Sequence, residues 1–152
     1  MSEPTPIIEP DRLDWRIIRL LQDNGRTPNA TIAEQLKVAE GTVRGRIRKL
    51  LEAGILRIAG MVNPDVLTGH QLVVVAMNVK ESKQLEKTAR AVAKLPQVKE
   101  VAITSGRYDI MAKVLVDSNK GIIHFLTDSL AKIEGIAGTE TFVMLKTYNA
   151  WI

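Results

Sequence analysis

The stretch Leu13–Leu56, LDWRIIRLLQDNGRTPNATIAEQLKVAEGTVRGRIRKLLEAGIL, decides the fold of the first half of the chain. Leu13, Ile17, Leu20 and Leu21 recur at spacings of four, three and one, which places them on one face of a helix. Asp11 stands where an N-cap belongs, and Asn24-Gly25, residues that tolerate positive φ, close the helix. Thr27 is placed to cap a second helix, with Pro28 in the first turn, where its missing N–H costs nothing. That helix presents Ile32, Ala33 and Leu36. A third runs from about Glu40 to Ala53, with Val43, Ile47, Leu50 and Leu51 inward and Gly54 as the stop. Ile55–Val62 then reads as a short extended wing. Three short helices, tight turns and a wing make residues 11–62 a winged helix-turn-helix domain.

The third helix carries the charge. At about 100° per residue, Gly41, Gly45, Arg48, Lys49 and Glu52 point away from Val43, and Arg44 and Arg46 sit on the flanks. Between Arg44 and Arg57 there are five basic residues and one acidic residue, a local +4 that equals the formal charge of the whole protein. Guanidinium forks on such a helix reach guanine edges or phosphates in a major groove. Gly41, Thr42, Arg44, Gly45, Arg46, Arg48, Lys49 and Arg57 are therefore the candidate DNA contacts. The two glycines, four apart on the exposed face, leave room for close approach of a sugar-phosphate backbone or base edge.

Working outward, MSEPTPIIEP (residues 1–10) holds three prolines and reads as a flexible arm. Asn63-Pro64-Asp65 breaks the helical pattern, and residues 63–70 read as a linker. Residues 71–152 then follow a βαββαβ order. Gln71–Val79 is a strand, Ser82–Leu95 a helix ended by Pro96, and Val98–Ser105 with Asp109–Val116 a hairpin turning at Gly106-Arg107-Tyr108. Ser118 caps a helix reaching Ile133, Gly135 closes it, and Gly138–Thr147 is the last strand. That order predicts a ferredoxin-like α+β sandwich with two helices on one sheet face. Strands as apolar as LVVVAMNV on such a sheet call for a cover on the other face, which predicts at least a homodimer.

Composition excludes several classes. The chain has 152 residues, 45% hydrophobic and 25% charged, and no cysteine, so no disulfide frame, thiolate metal site or cysteine nucleophile exists. No apolar run approaches the roughly 20 residues that span a bilayer, and the start lacks the basic and apolar regions of a secretory signal. His70 and His124 stand at no metal-ligand spacing, and no nucleotide-binding or nucleophile motif occurs. No catalytic residue, metal or cofactor is expected.

The run Leu13–Leu56, followed by NPDVLTG and later by TSGRYDIMAKV, resembles the Lrp/AsnC (feast/famine) family of prokaryotic transcription regulators. The resemblance extends from about Leu13 to Leu145. It is most specific in the first helix with its DNGR end, in TVRGRIRKLLEAGIL, and in Ser105-Gly106-Arg107-Tyr108-Asp109. Where the family has Leu-Ser-x-Ser before the recognition helix, this chain has Val38-Ala39-Glu40-Gly41. Ala39 offers no side-chain cap, which costs about 1 kcal/mol and removes a phosphate contact.

The resemblance implies a cytoplasmic regulator that binds double-stranded DNA sequence-specifically, with a C-terminal domain of the RAM type that dimerises and assembles into octamers. It further implies a small effector, typically an amino acid, held between dimers near the Gly-x-Tyr-Asp turn. The residues agree with that site: a glycine turn offers backbone N–H groups to an α-carboxylate. Asp109 suits the α-ammonium, and Thr104, Ser105, Arg107, Tyr108, Thr139 and Thr141 complete the candidate set around Gly106. Two other readings stand beside it. Siroheme decarboxylases resemble this family in both halves, with His124 and Arg107 available for the histidine and arginine roles; an effector-independent architectural DNA-binding protein is the other.

Overall fold

The computed structural model describes residues 9–117 and 120–152. Most of the expected arm and the expected cap Ser118 therefore lie outside the described residues. The chain divides after Gly60 into two compact units.

The first unit is three helices, α1 (Arg12–Asp23), α2 (Asn29–Leu36) and α3 (Glu40–Glu52). Asp11 caps α1: its carboxylate accepts the amides of Leu13 and Asp14, and the Asp14 side chain returns the bond to the Asp11 amide. Ile17, Leu21, Ile32, Ala33, Leu36 and Val43 form the buried centre. Leu51, expected inward, is 42% exposed, because Leu50 already fills the position facing the core.

Two turns differ from expectation. Neither Asn24 nor Gly25 takes a positive φ; the Asn24 side chain instead accepts the Arg26 amide, an Asx turn that redirects the chain. Thr27 does not cap α2, since its hydroxyl donates to the Asn24 carbonyl, and Pro28 occupies the cap position without a side-chain bond. Residues 55–62, expected as an extended wing, hold no strand, and only Val62 at their end is paired, with Ile152. The amides of Ile55 and Leu56 turn back to the Leu50 carbonyl, so the start of the segment continues the end of α3.

The second unit is a four-stranded antiparallel sheet in the order β2-β3-β1-β4, from β1 (His70–Val79), β2 (Val98–Ile103), β3 (Ile110–Asp117) and β4 (Ile136–Val143). One face packs on α4 (Leu85–Ala93) and on the helical segment from α5 (Gly121–His124) to Lys132. Val73, Val75 and Met77 of β1 lie in the same buried cluster as Ile110, Ala112 and Val114 of β3, Val92 of α4, and Phe125 and Leu130. The alternate β1 residues Val74 and Ala76 pair with Lys113 and Met111 on one side and Phe142 and Glu140 on the other, so these share the opposite face.

The last helix is not continuous as expected. After His124 it widens into a π turn over Phe125–Ser129 and tightens into a 3₁₀ turn over Leu130–Lys132. The wide turn puts Phe125 and Leu130, five residues apart, on one buried face. Gly135 follows at φ +96, where a Cβ would meet the Gln84 Oε1 at 2.6 Å and the Thr88 Oγ1 at 2.8 Å. β4 begins directly after it at Ile136, earlier than expected. The strand ends at Val143, and the following segment is clasped to the start of the unit. Asp65 pairs with Lys146 at 2.8 Å and accepts the Thr147 hydroxyl at 2.8 Å. Val62 and Ile152 exchange both backbone hydrogen bonds, at 2.9 and 3.1 Å.

Candidate DNA-binding and effector sites

Helix α3 starts at Ala39 without a side-chain cap, as the sequence predicts. Its outer surface carries Gly41, Thr42, Arg44, Arg48 and Lys49, all exposed, with Arg57 exposed beyond its end. No atom lies within 4 Å of a Cβ built on Gly41 or Gly45, so packing does not demand glycine at either place. Arg48 makes an exposed pair with Glu52 at 3.9 Å, a contact worth little in water. The cationic surface of α3 is thus open to a polyanion.

Arg46 does not belong to that surface. Its guanidinium turns toward α1, bonding the Asp11 carboxylate and reaching Asp14 Oδ1 at 3.2 Å. The hydrogen bond from Arg46, with the Asp14 amide beside it, holds the Asp11 carboxyl below its ordinary range, and the two carboxylates raise Arg46. Asp14 is only 6% exposed, and burial of its charge is tolerable because a cation faces it. Arg46 fastens the two helices, in correction of its assignment as a DNA contact. The sequence held one signal for this: an aspartate on the buried side of α1, three residues past the cap, demands a cation from elsewhere.

In the second unit the turn between β2 and β3 gathers Thr104 to Asp109. The Thr104 amide donates to the Asp109 carbonyl at 3.0 Å, and its hydroxyl to the Tyr108 carbonyl at 2.5 Å. Gly106 turns the chain at φ +150. The Arg107 guanidinium sits 5.3 Å from the Tyr108 ring centre, and Tyr108 meets Phe142 edge-on at 6.4 Å. Phe142 is the residue that the sequence reading missed, since its place depends on strand register.

Three expected ligands behave differently. Asp109 Oδ2 accepts the Val79 amide at 2.9 Å, and the Asp109 amide donates to the Met77 carbonyl, so this side chain closes the end of β1 where its pairing with β4 shifts register. One oxygen of its carboxylate is thus engaged within the fold, where the expectation was a contact to an ammonium. Thr139 and Thr141 pair with Met77 and Val75, whose side chains lie on the helix-covered face, and Thr139 lines a shallow groove with Leu126, Leu130, Ile133 and Ile136. Met77 separates Thr139 from Ile110 by two strand spacings, about 10 Å. One chain therefore does not bring these threonines to the turn.

Among the described residues no group of three or more metal-ligating side chains converges, and no helix is long and apolar enough to cross a membrane. His124 pairs with Asp128, and His70 lies 3.7 Å from Asp117.

A model of the AsnC-type helix-turn-helix domain matches residues 11–51, and one of the Lrp/AsnC ligand binding domain matches residues 72–150, more than half of the chain by itself. The chain belongs to the Lrp/AsnC family. As a member it is a transcriptional regulator with a DNA-binding helix-turn-helix and a ligand-binding domain. It is 34% identical over 140 residues to the HTH-type transcriptional regulator FL11 of Pyrococcus horikoshii, covering 91% of each chain. With the HTH-type transcriptional regulator LysM of Saccharolobus solfataricus it shares 30% over 138 residues, 91% of this chain and 95% of that one. The structure of E. coli AsnC superposes with a TM-score of 0.68 at 30% identity, over 92% of this chain and 95% of that one. A Neisseria meningitidis transcriptional regulator, solved as a complex with L-Met, shares the fold at TM-score 0.68 and 23% identity, over 90% of each chain.

Proposed function

We propose that this Lrp/AsnC protein is a cytoplasmic homodimer, assembling further to octamers, that reads short two-fold-symmetric DNA sites and responds to an amino acid. Arg44, Arg48 and Lys49 make base and phosphate contacts from α3, Gly41, Thr42 and Gly45 admit the DNA closely, and Arg57 holds a phosphate beyond the helix. The carrying observation is that Arg44, Arg48 and Lys49, all exposed, share one helix with two glycines whose Cβ positions are empty. Dimerisation buries the sheet face bearing Val74, Met111 and Phe142, which the helices leave uncovered.

The effector binds at the turn, its carboxylate on the backbone amides of Ser105 to Arg107 and on the Arg107 guanidinium, against Tyr108. Thr139 and Thr141 reach it only from another copy. The L-Met complex of the Neisseria protein supports the ligand class.

Selection from a random duplex library tests the DNA reading. Enriched symmetric half-sites, lost with Arg44→Ala/Arg48→Ala, support it; tight binding without enrichment overturns sequence specificity. Thermal-shift screening of the amino acids tests the effector, and a screen in which none stabilises the protein overturns it.

A further inference from the structure

Helix α1 carries a feature that recognition by α3 does not use. Arg12, Trp15, Arg16 and Arg19 line one open groove along its outer face. Their spacings of three, four and seven put them on one side, opposite the buried Ile17 and Leu21. Trp15 is 51% exposed, a large apolar ring left among three guanidiniums. Among the described residues the arginines paired with acids are Arg46, Arg48 and Arg90; none of these three is.

Nothing in the helix itself asks for this pattern. Arg12 stands in the first turn, where the helix dipole opposes a cation. Arg12 and Arg16 are like charges one turn apart and repel. Arg46 offsets one of the two charges of Asp11 and Asp14, the acids nearest in sequence, so the three arginines of the stripe still outweigh what remains. The same ion pairs lock the start of α1 to α3, so the stripe and the recognition helix form one rigid frame.

We propose that this face of α1 is a second nucleic-acid contact, a phosphate track in which Trp15 lies against a sugar or an unstacked base. From Arg12 to Arg19 the helix rises about 10 Å, close to the axial rise of three nucleotides on one strand. A cationic groove with an aromatic platform is the chemistry that follows a nucleic-acid strand, and guanidinium forks match phosphate oxygens. A second copy of the chain fits badly, since two such faces would oppose six guanidiniums. The inference rests on the DNA-binding reading above.

The test uses Trp151→Phe, which leaves Trp15 as the sole tryptophan. Its emission is followed while the full-length protein is titrated with a random-sequence duplex, with oligothymidylate and with polyglutamate, at several salt concentrations. Both nucleic acids should quench Trp15, more strongly for oligothymidylate where a base stacks. Adding Arg12→Ala/Arg16→Ala/Arg19→Ala should abolish the quenching and lower the salt slope of duplex binding by roughly one per lost contact. Arg44→Ala/Arg48→Ala should weaken binding yet keep the quenching. An unchanged salt slope in the triple variant, with normal binding, overturns the proposal. So does quenching by polyglutamate alone, or a triple variant whose only defect is loss of self-association. A parent protein that binds no duplex removes the DNA reading itself, an outcome distinct from loss of the track alone.

Discussion

Arg46 on α3 reaches Asp14 on α1 at 3.2 Å, across 32 positions of sequence. A cation that charge counting assigns to DNA is spent on holding the recognition helix to its scaffold. The distinction has a measurable signature. Arg46→Ala should destabilise the first unit by about 1–3 kcal/mol, because the nearly buried Asp14 carboxyl loses the partner that faces it. It should also weaken DNA binding without changing the salt slope, whereas Arg44→Ala and Arg48→Ala each lower that slope. Urea unfolding and salt-dependent anisotropy separate the two effects.

Acid should release the same junction. The folded Asp11 carboxyl titrates below its ordinary value of 3.8, so it prefers the folded state wherever it is ionised. The stabilisation is complete above that value and is lost as pH falls through the lower folded pKa. Helical circular dichroism should therefore hold down to about pH 4 and decline below it, and Asp11→Asn should flatten that acid limb.

Gly45→Ala separates stability from function in the opposite direction. No atom lies within 4 Å of the added methyl, and alanine favours the helix by about 1 kcal/mol. Melting temperature should rise while DNA affinity falls, since the methyl occupies the space meant for the ligand. A variant that gains stability and binds DNA as before would return Gly45 to a neutral surface position.

Asp109→Ala should act on the fold. Loss of the bond to the Val79 amide unpins the turn from β1 and costs about 1–3 kcal/mol, from an amide left without its acceptor. Thermal unfolding without any amino acid present should already show the loss, which a residue acting only as a ligand would not cause.

Local patterns were readable from the chain. The spacing of Leu13, Ile17 and Leu21, the cap at Asp11 and the β-rich run Gln71–Val79 each report on neighbours a few residues away, and the structure keeps all three. What failed depends on distant partners. Arg46 looked outward because a helical wheel knows nothing of α1. Thr139 looked like a companion of Gly106 because only the pairing of β4 with β1 shows which face it takes. The π turn after His124 answers to the packing of Phe125 and Leu130, which no periodicity of the segment announces.

Leu56 packs into the helical unit and Val62 is clasped to Ile152, so the covalent span joining the two units runs from 56 to 62. Six residues fully extended bridge at most about 20 Å. In a dimer the chain then works as a ruler, and the separation of DNA half-sites is bounded by covalent reach before any energetics enter. Each glycine inserted after Gly60 should widen the permitted range by about 7 Å, one extended residue on either copy. Operator spacing, a property of the genome, would be written in the length of five or six residues of backbone.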